Sequence, residues 1–370
     1  MTATDRRHFL LAAGASAALA GLSRPGRAAP APAPRFAVTA ATADRGYALC
    51  LLDAEGRIGR QEALPGRGHG FAWHGASGRL VAFARRPGTF AVMLAPGDGT
   101  ALRFACAPGR HFYGHGLFSA DGRLLYACEN AYETATGVIG VYDAAAGFAR
   151  LGEIETNGIG PHQVDWLPGG RTMVVANGGI ETHPDYGRTK LNIATMEPSV
   201  ALLDAAGGRI LAQDALPPAL HRLSLRHLAV DGRGIAWIGG QYEGPQTDLP
   251  PLLARFDPAG GRLSSLAMPP ALAGRYRNYI GSVTASADGR LIATSGPRGS
   301  LATLWDAATG QPLASHAIED VCGLAAWGAG FLATGGTGDL VRLAAGGATP
   351  IARLAPPGRT PRWDNHALAL

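Results

Sequence analysis

Long apolar runs, cysteines and basic clusters are all scarce in this 370-residue chain, and each scarcity removes a class of function. The apolar run Phe9 to Leu22 is shorter than the ~20 residues a spanning helix needs. Four cysteines, Cys50, Cys106, Cys128 and Cys322, form neither a C-x-x-C redox pair nor a c-type haem site. Cys50, Cys106 and Cys128 sit inside apolar strand patterns, which favours buried free thiols, with a single disulfide as the alternative. No Lys/Arg run is interleaved with aromatics, so no nucleic-acid surface is expected. Local H-E-x-x-H and H-x-H elements are missing too, so a metal site would have to be assembled from distant parts of the chain.

What is present begins with an address. Arg6-Arg7-His8-Phe9-Leu10 and the apolar run after it read as a twin-arginine signal over residues 1–28, with cleavage after Ala28, where Gly26 and Ala28 supply the small residues. Residues 29–34 read as an Ala/Pro tether and residues 35–370 as the folded domain. The expected location is the periplasm, with no membrane span once the signal is removed. The signal takes Arg6, Arg7, Arg24 and Arg27 with it against Asp5, so the formal charge falls from +5 to +2.

One unit recurs seven times in the remainder. Its apolar strands open at His69, His115, His162, His227, Ser282, Cys322 and His366, at spacings of 46, 47, 65, 55, 40 and 44 residues. Those lengths fit a four-stranded propeller blade. Two markers run in register with the repeat. One is a Gly-Arg turn at Gly78, Gly122, Gly170, Gly232 and Gly289, where glycine permits the positive φ of a tight hairpin. The other is an Asp closing the third strand at Asp53, Asp143, Asp204, Asp257 and Asp306. After His366 the chain has room for one strand, and Phe36–Thr42, Tyr47–Leu52 and Arg57–Ala63 supply three more. The expected fold is therefore all-β, a seven-bladed β-propeller closed by three N-terminal strands and one C-terminal strand in the last blade, which removes open sheet edges.

In such a ring the strand openings and the loops between second and third strands share one face. Eight of the eleven histidines fall there. A single histidine at a strand start is more simply a turn cap; five around one axis, His69, His115, His162, His227 and His366, form a nitrogen site suited to iron, copper or zinc. Spacing selects none of these metals, and a ring of five could exceed the reach of one ion. Neutral imidazole binds metal and imidazolium does not, so affinity is expected to fall through the histidine range near about 6.5. Arg85, Asn130, Asn177, His183, Arg226, Gln241 and Arg298 join the same face as candidate ligand-binding residues, suited to a carboxylate, a phosphate or a metal chelate. The long insertion Gly178 to Glu197 is a candidate lid.

The leader together with Gly68-His69-Gly70, Gly114-His115-Gly116, Gly160-Pro161-His162-Gln163, Ala176-Asn177-Gly178-Gly179 and Thr182-His183-Pro184 resembles an uncharacterised family of exported bacterial β-propellers. Its members are commonly encoded beside imelysin-type iron-regulated proteins and a dihaem oxidoreductase-like protein. The resemblance implies a periplasmic propeller with a part in iron acquisition and imelysin-type or haem-containing partners; it brings no assigned reaction. Gly160-Pro161-His162-Gln163, Gly170-Arg171 and Asn177 also look like the local grammar of lactonase-type propellers, in which His162 and Arg226 would serve as base and oxyanion stabiliser. The expected function is a metal- or chelate-binding accessory protein, with a lactonase-like hydrolase and a protein-docking scaffold as the alternatives.

Overall fold

The computed structural model describes residues 35–95, 99–353 and 361–370. The signal and the tether expected from the sequence fall on residues 1–34, outside the described residues. No described helix is long and apolar enough to cross a membrane.

Twenty-eight strands form seven antiparallel four-stranded sheets. Six blades are continuous in sequence, with inner strands Gly68–His74, Arg110–Phe118, Pro161–Trp166, Leu223–Val230, Ser282–Ala285 and Val321–Trp327. The seventh takes its inner strand, Arg362–Ala369, from the end of the chain and the other three, Phe36–Ala41, Tyr47–Leu52 and Ile58–Leu64, from its start. Pairing runs from Phe36 opposite Ala369 to Ala41 opposite Arg362, and Leu370 N–H donates to the Arg35 carbonyl at 2.9 Å. This is the closure expected from the repeat.

The turn markers hold with one shift. Gly78, Gly122, Gly170 and Gly289 have φ between 64° and 68°, whereas in blade four the left-handed residue is Gly234, at 84°, and not Gly232. Each marker aspartate caps its own turn, as Asp306 Oδ1 does by accepting from Thr309 N–H at 2.7 Å. All four cysteines are free thiols, and burial pushes Cys50, Cys106 and Cys322 up to about 12.

Apolar packing fills the seams between blades. Phe83 of blade one meets Phe112 of blade two edge-on at 5.4 Å, inside a cluster that also holds Phe118 and Tyr142. Inner strands are tied directly across a seam by the Gln163 amide, which donates to the Leu228 carbonyl at 2.7 Å and accepts from the Leu228 N–H at 3.3 Å. Outer strands alternate between exposed and half-buried residues, as in Ala149–Glu155 and Pro312–Ala317. The strands of the inner ring, where the histidines lie, are by contrast buried along most of their length, as in Gly68–His74, Arg110–Phe118 and Leu223–Val230.

Candidate metal centre

Of the five histidines, His69 and His162 stand at strand openings, each second in its strand, while His366 is fifth in Arg362–Ala369. The inner strands of blades two and four begin earlier than the repeat suggested, at Arg110 and Leu223, so His115 and His227 lie within them. Each of the five histidines falls in or beside a break in pairing register: between Gly68 and Phe71, Phe112 and Gly116, Pro161 and Gln163, Leu225 and His227, and Trp363 and Ala367. A bulge of this kind interrupts strict alternation and re-aims a side chain. Glycine makes the approach between blades close enough. A Cβ on Gly70 would lie 2.6 Å from His115 Nδ1, and one on Gly114, whose φ is +103°, would lie 2.5 Å from the His69 ring.

The five rings meet in one cluster. Nine pairs among them have centres 4.5 to 6.1 Å apart, from His115 and His366 to His69 and His227. His69, His115 and His366 can each offer one ring nitrogen within 4.8 Å of the others, as can His115, His162 and His227. His115 is common to both triads. None of the five is more than 7 % exposed, so they are part of the interior and not the rim of a wet mouth. Each carries a buried ring nitrogen without a hydrogen-bond partner: Nδ1 of His69 and His227, Nε2 of His115, His162 and His366. Buried polar atoms are nearly always satisfied, so five orphans in one cluster ask for a shared partner.

Burial, and after it the neighbouring imidazoles or arginines, holds all five rings below the ordinary histidine range, His366 at about 3. The cluster is therefore neutral and ready to ligate well below the pH expected from an unperturbed imidazole. Blades five and six contribute no histidine. At their equivalent places stand Ser282 and Cys322, whose thiol donates to the Asp320 carbonyl at 3.1 Å and is held protonated by burial.

Space adjoins the cluster on two sides. Towards the channel, His115 and His366 line a cavity of about 310 Å³ together with Gln163, Asp165 and small apolar residues of the inner strands. Burial lifts the Asp165 carboxyl to about 6. On the other side, Arg86, Tyr113, His162 and Arg226 surround a pocket of about 10 Å³, the room one water takes. The insertion after Asn177 reaches several blades. Asn130 Nδ2 donates to the Thr182 carbonyl at 3.0 Å, Arg188 donates to the Arg86 carbonyl at 3.3 Å, and Lys190 pairs with Glu243.

Of the other candidates, Arg226 lies against His162 and donates to Ser224 Oγ and Glu243, while Arg85 acts electrostatically on His69, His227 and His366. The remainder stand apart from the cluster with partners of their own. Asn130 bridges His111 Nε2 and the insertion, and Asn177 donates to the Thr156 carbonyl and Ser199 Oγ. His183 caps the short turn Pro184–Tyr186 beside Glu133 and Asp185. Gln241 is buried and its backbone bridges to Tyr279, whose ring lies beneath the exposed Arg298 at 5.1 Å. Sequence reasoning missed Arg67, Arg188 and Asp364. Arg67 binds Asp364 through Nε at 2.5 Å and Nη2 at 3.0 Å, and each stands two residues before a cluster histidine, a signal the repeat contained.

Solved structures share the fold at low identity. A protein from Lactobacillus plantarum is 14 % identical, with 91 % of this chain and 99 % of that one covered at a TM-score of 0.60. Hydrazine synthase from Kuenenia stuttgartiensis is 15 % identical, with 77 % and 80 % covered at 0.52, and a chain of a mitotic checkpoint complex is 12 % identical, with 76 % and 77 % covered at 0.56. Comparison with curated proteins finds no match. Residues 62–370, the greater part of the propeller and all five cluster histidines, match the family described as "Protein of unknown function (DUF1513)", and the chain belongs to that family.

Proposed function

We propose that the five-histidine cluster binds a divalent transition-metal ion, held by one of the two triads that share His115. The observation that carries this reading is the pair of triads, each able to bring three ring nitrogens within 4.8 Å of one another, in a cluster whose five buried rings each leave a nitrogen without a partner. An ion ~2.1 Å from a ring nitrogen sits ~3.2 Å from the ring centre, so two rings on one ion have centres ~4.5 Å apart at right angles and ~6.4 Å apart when opposed. Within the two triads the ring centres are 4.5 to 5.6 Å apart, between those bounds. Three neutral imidazoles suit zinc, iron or copper alike.

In this reading the protein is an exported, periplasmic accessory to iron acquisition, working beside imelysin-type or haem-containing proteins. Metal analysis of protein purified from periplasmic extract tests location and loading together. About one ion per chain is expected, falling below about 0.1 in His115→Gln, since His115 serves both triads. A metal-free wild type that also fails to bind added iron, copper or zinc would reject the metal reading. Gly114→Ala should act without touching a ligand: its Cβ would meet His69, so affinity is expected to drop about tenfold or more while the blades stay folded. Unchanged affinity in a titration of that variant would reject the role given to the close approach.

A hydrolase is the second reading, favoured by the shared pocket of His162 and Arg226. It predicts lactone turnover lost in His162→Gln, and no turnover by the metal-loaded wild type would end it.

A further inference from the structure

We infer that the arginine-lined cavity on the histidine-bearing face binds a small oxyanion with two or more negative charges, a polycarboxylate or a phosphate compound. The cavity encloses about 470 Å³ and is lined by Arg67, Arg85, Arg86 and Arg188, with Phe90 forming an apolar wall. Arg67 alone among the four has a carboxylate partner, Asp364. Among the described residues Arg85, Arg86 and Arg188 form no ion pair, and Arg188 spends its one side-chain bond on the Arg86 carbonyl. Arg86 is 8 % exposed, where an uncompensated guanidinium is costly.

Three guanidinium groups without a counter-charge on one cavity repel one another. Their convergence is legible at Arg188, which desolvation and then Arg85, Arg86, Arg226 and Arg67 hold down to about 10 although its side chain is open to solvent. Asp364, already bound by Arg67, acts favourably on Arg85, but among the described residues no carboxylate pairs with Arg85, Arg86 or Arg188, so a ligand would supply the offset. Guanidinium forks match carboxylate and phosphate oxygens in pairs. The volume exceeds what one such group fills, so the ligand carries several on a small carbon or phosphate frame, with Phe90 against its apolar part. Arg85 and Arg86 belong to blade one and Arg188 to the insertion of blade three, so the anion would draw the insertion onto blade one.

Calorimetric titration of metal-free protein with citrate and with pyrophosphate tests it. At least one is expected to bind, about 30-fold more weakly in Arg85→Met and in Arg188→Met, and about equally in His115→Gln. Arg188 lies on an exposed insertion outside the blades, so an unchanged melting temperature separates loss of the site from loss of the fold. Citrate binding alone marks a carboxylate ligand and pyrophosphate alone a phosphate ligand; either supports the site. No binding of either anion, or equal binding by wild type and Arg188→Met, overturns it. So does binding that needs added metal and vanishes in His115→Gln, because the anion would then sit on the ion and not among the arginines.

Discussion

Deleting residues 362–370 is expected to leave no soluble monomer. The strand Arg362–Ala369 is the inner strand of blade seven, and its removal strips every ladder bond from one side of Phe36–Ala41. Trp363, 3 % exposed, leaves the cluster it shares with Phe36, Val38 and Leu332, and the buried Asp364 deserts Arg67. Loss of one buried aromatic costs ~3–5 kcal/mol, a large part of the ~5–15 kcal/mol that holds a typical protein together, before the ladder is counted. The exposed edge is moreover a template for pairing with another chain. Size-exclusion chromatography of the truncated protein should find aggregate in place of monomer. A monomer that melts at the wild-type temperature would show that blade seven does not need its last strand.

Acidification should unfold the metal-free protein between about pH 6.5 and 4. All five cluster histidines have folded-state pKa values depressed below the ordinary value, with burial as the first cause. Above about 6.5 neither state binds protons at these groups and stability is complete. As the pH falls below that value the unfolded chain takes up protons that the folded cluster refuses, so stability is lost until the folded values are reached. All five shifts have the same sign, so each ring that stays neutral in the fold adds to the same loss. His111, held at about 4 by burial, adds to the same slope. An ion bound by the cluster would add stability by mass action, so protein titrated with metal is expected to survive to lower pH than metal-free protein. Melting temperatures recorded across this range check the claim: a flat profile for the metal-free protein would mean that the rings are already protonated in the fold or hydrated.

The blade plan was legible because a propeller repeats its turns, and turns have local chemistry. A glycine that must adopt a positive φ and an aspartate that must cap its own loop leave marks in a single chain, and five copies in register leave little room for another fold. Gly232 shows the limit of that reading: the left-handed place passes to Gly234 because the turn at Asp231 is built by Asp231 Oδ1 accepting from Arg233 and Ile235. Convergence of the histidines was legible for the same reason, since equal places in a repeat become neighbours in a ring. Their depth was not. It comes from bulges that exist only when two strands pair, as where Gly114 folds against His69. Nor does any repeat announce Arg188, which reaches blade one from an insertion that the other blades lack. Asn130 and Asn177 err in the other direction. Polar residues on a functional face look like ligand contacts until the carbonyls they serve, Thr182 and Thr156, are brought beside them.

His366 arrives last. It lies on the last strand of the ring in chain order, while its neighbours in the cluster come from blades one to four. A chain still emerging, or one cut short, can form six blades and still hold only four of the five imidazoles. Completion of the donor set and docking of the last strand are then a single event, and an ion held there would act on folding as a latch, making ring opening as slow as metal release.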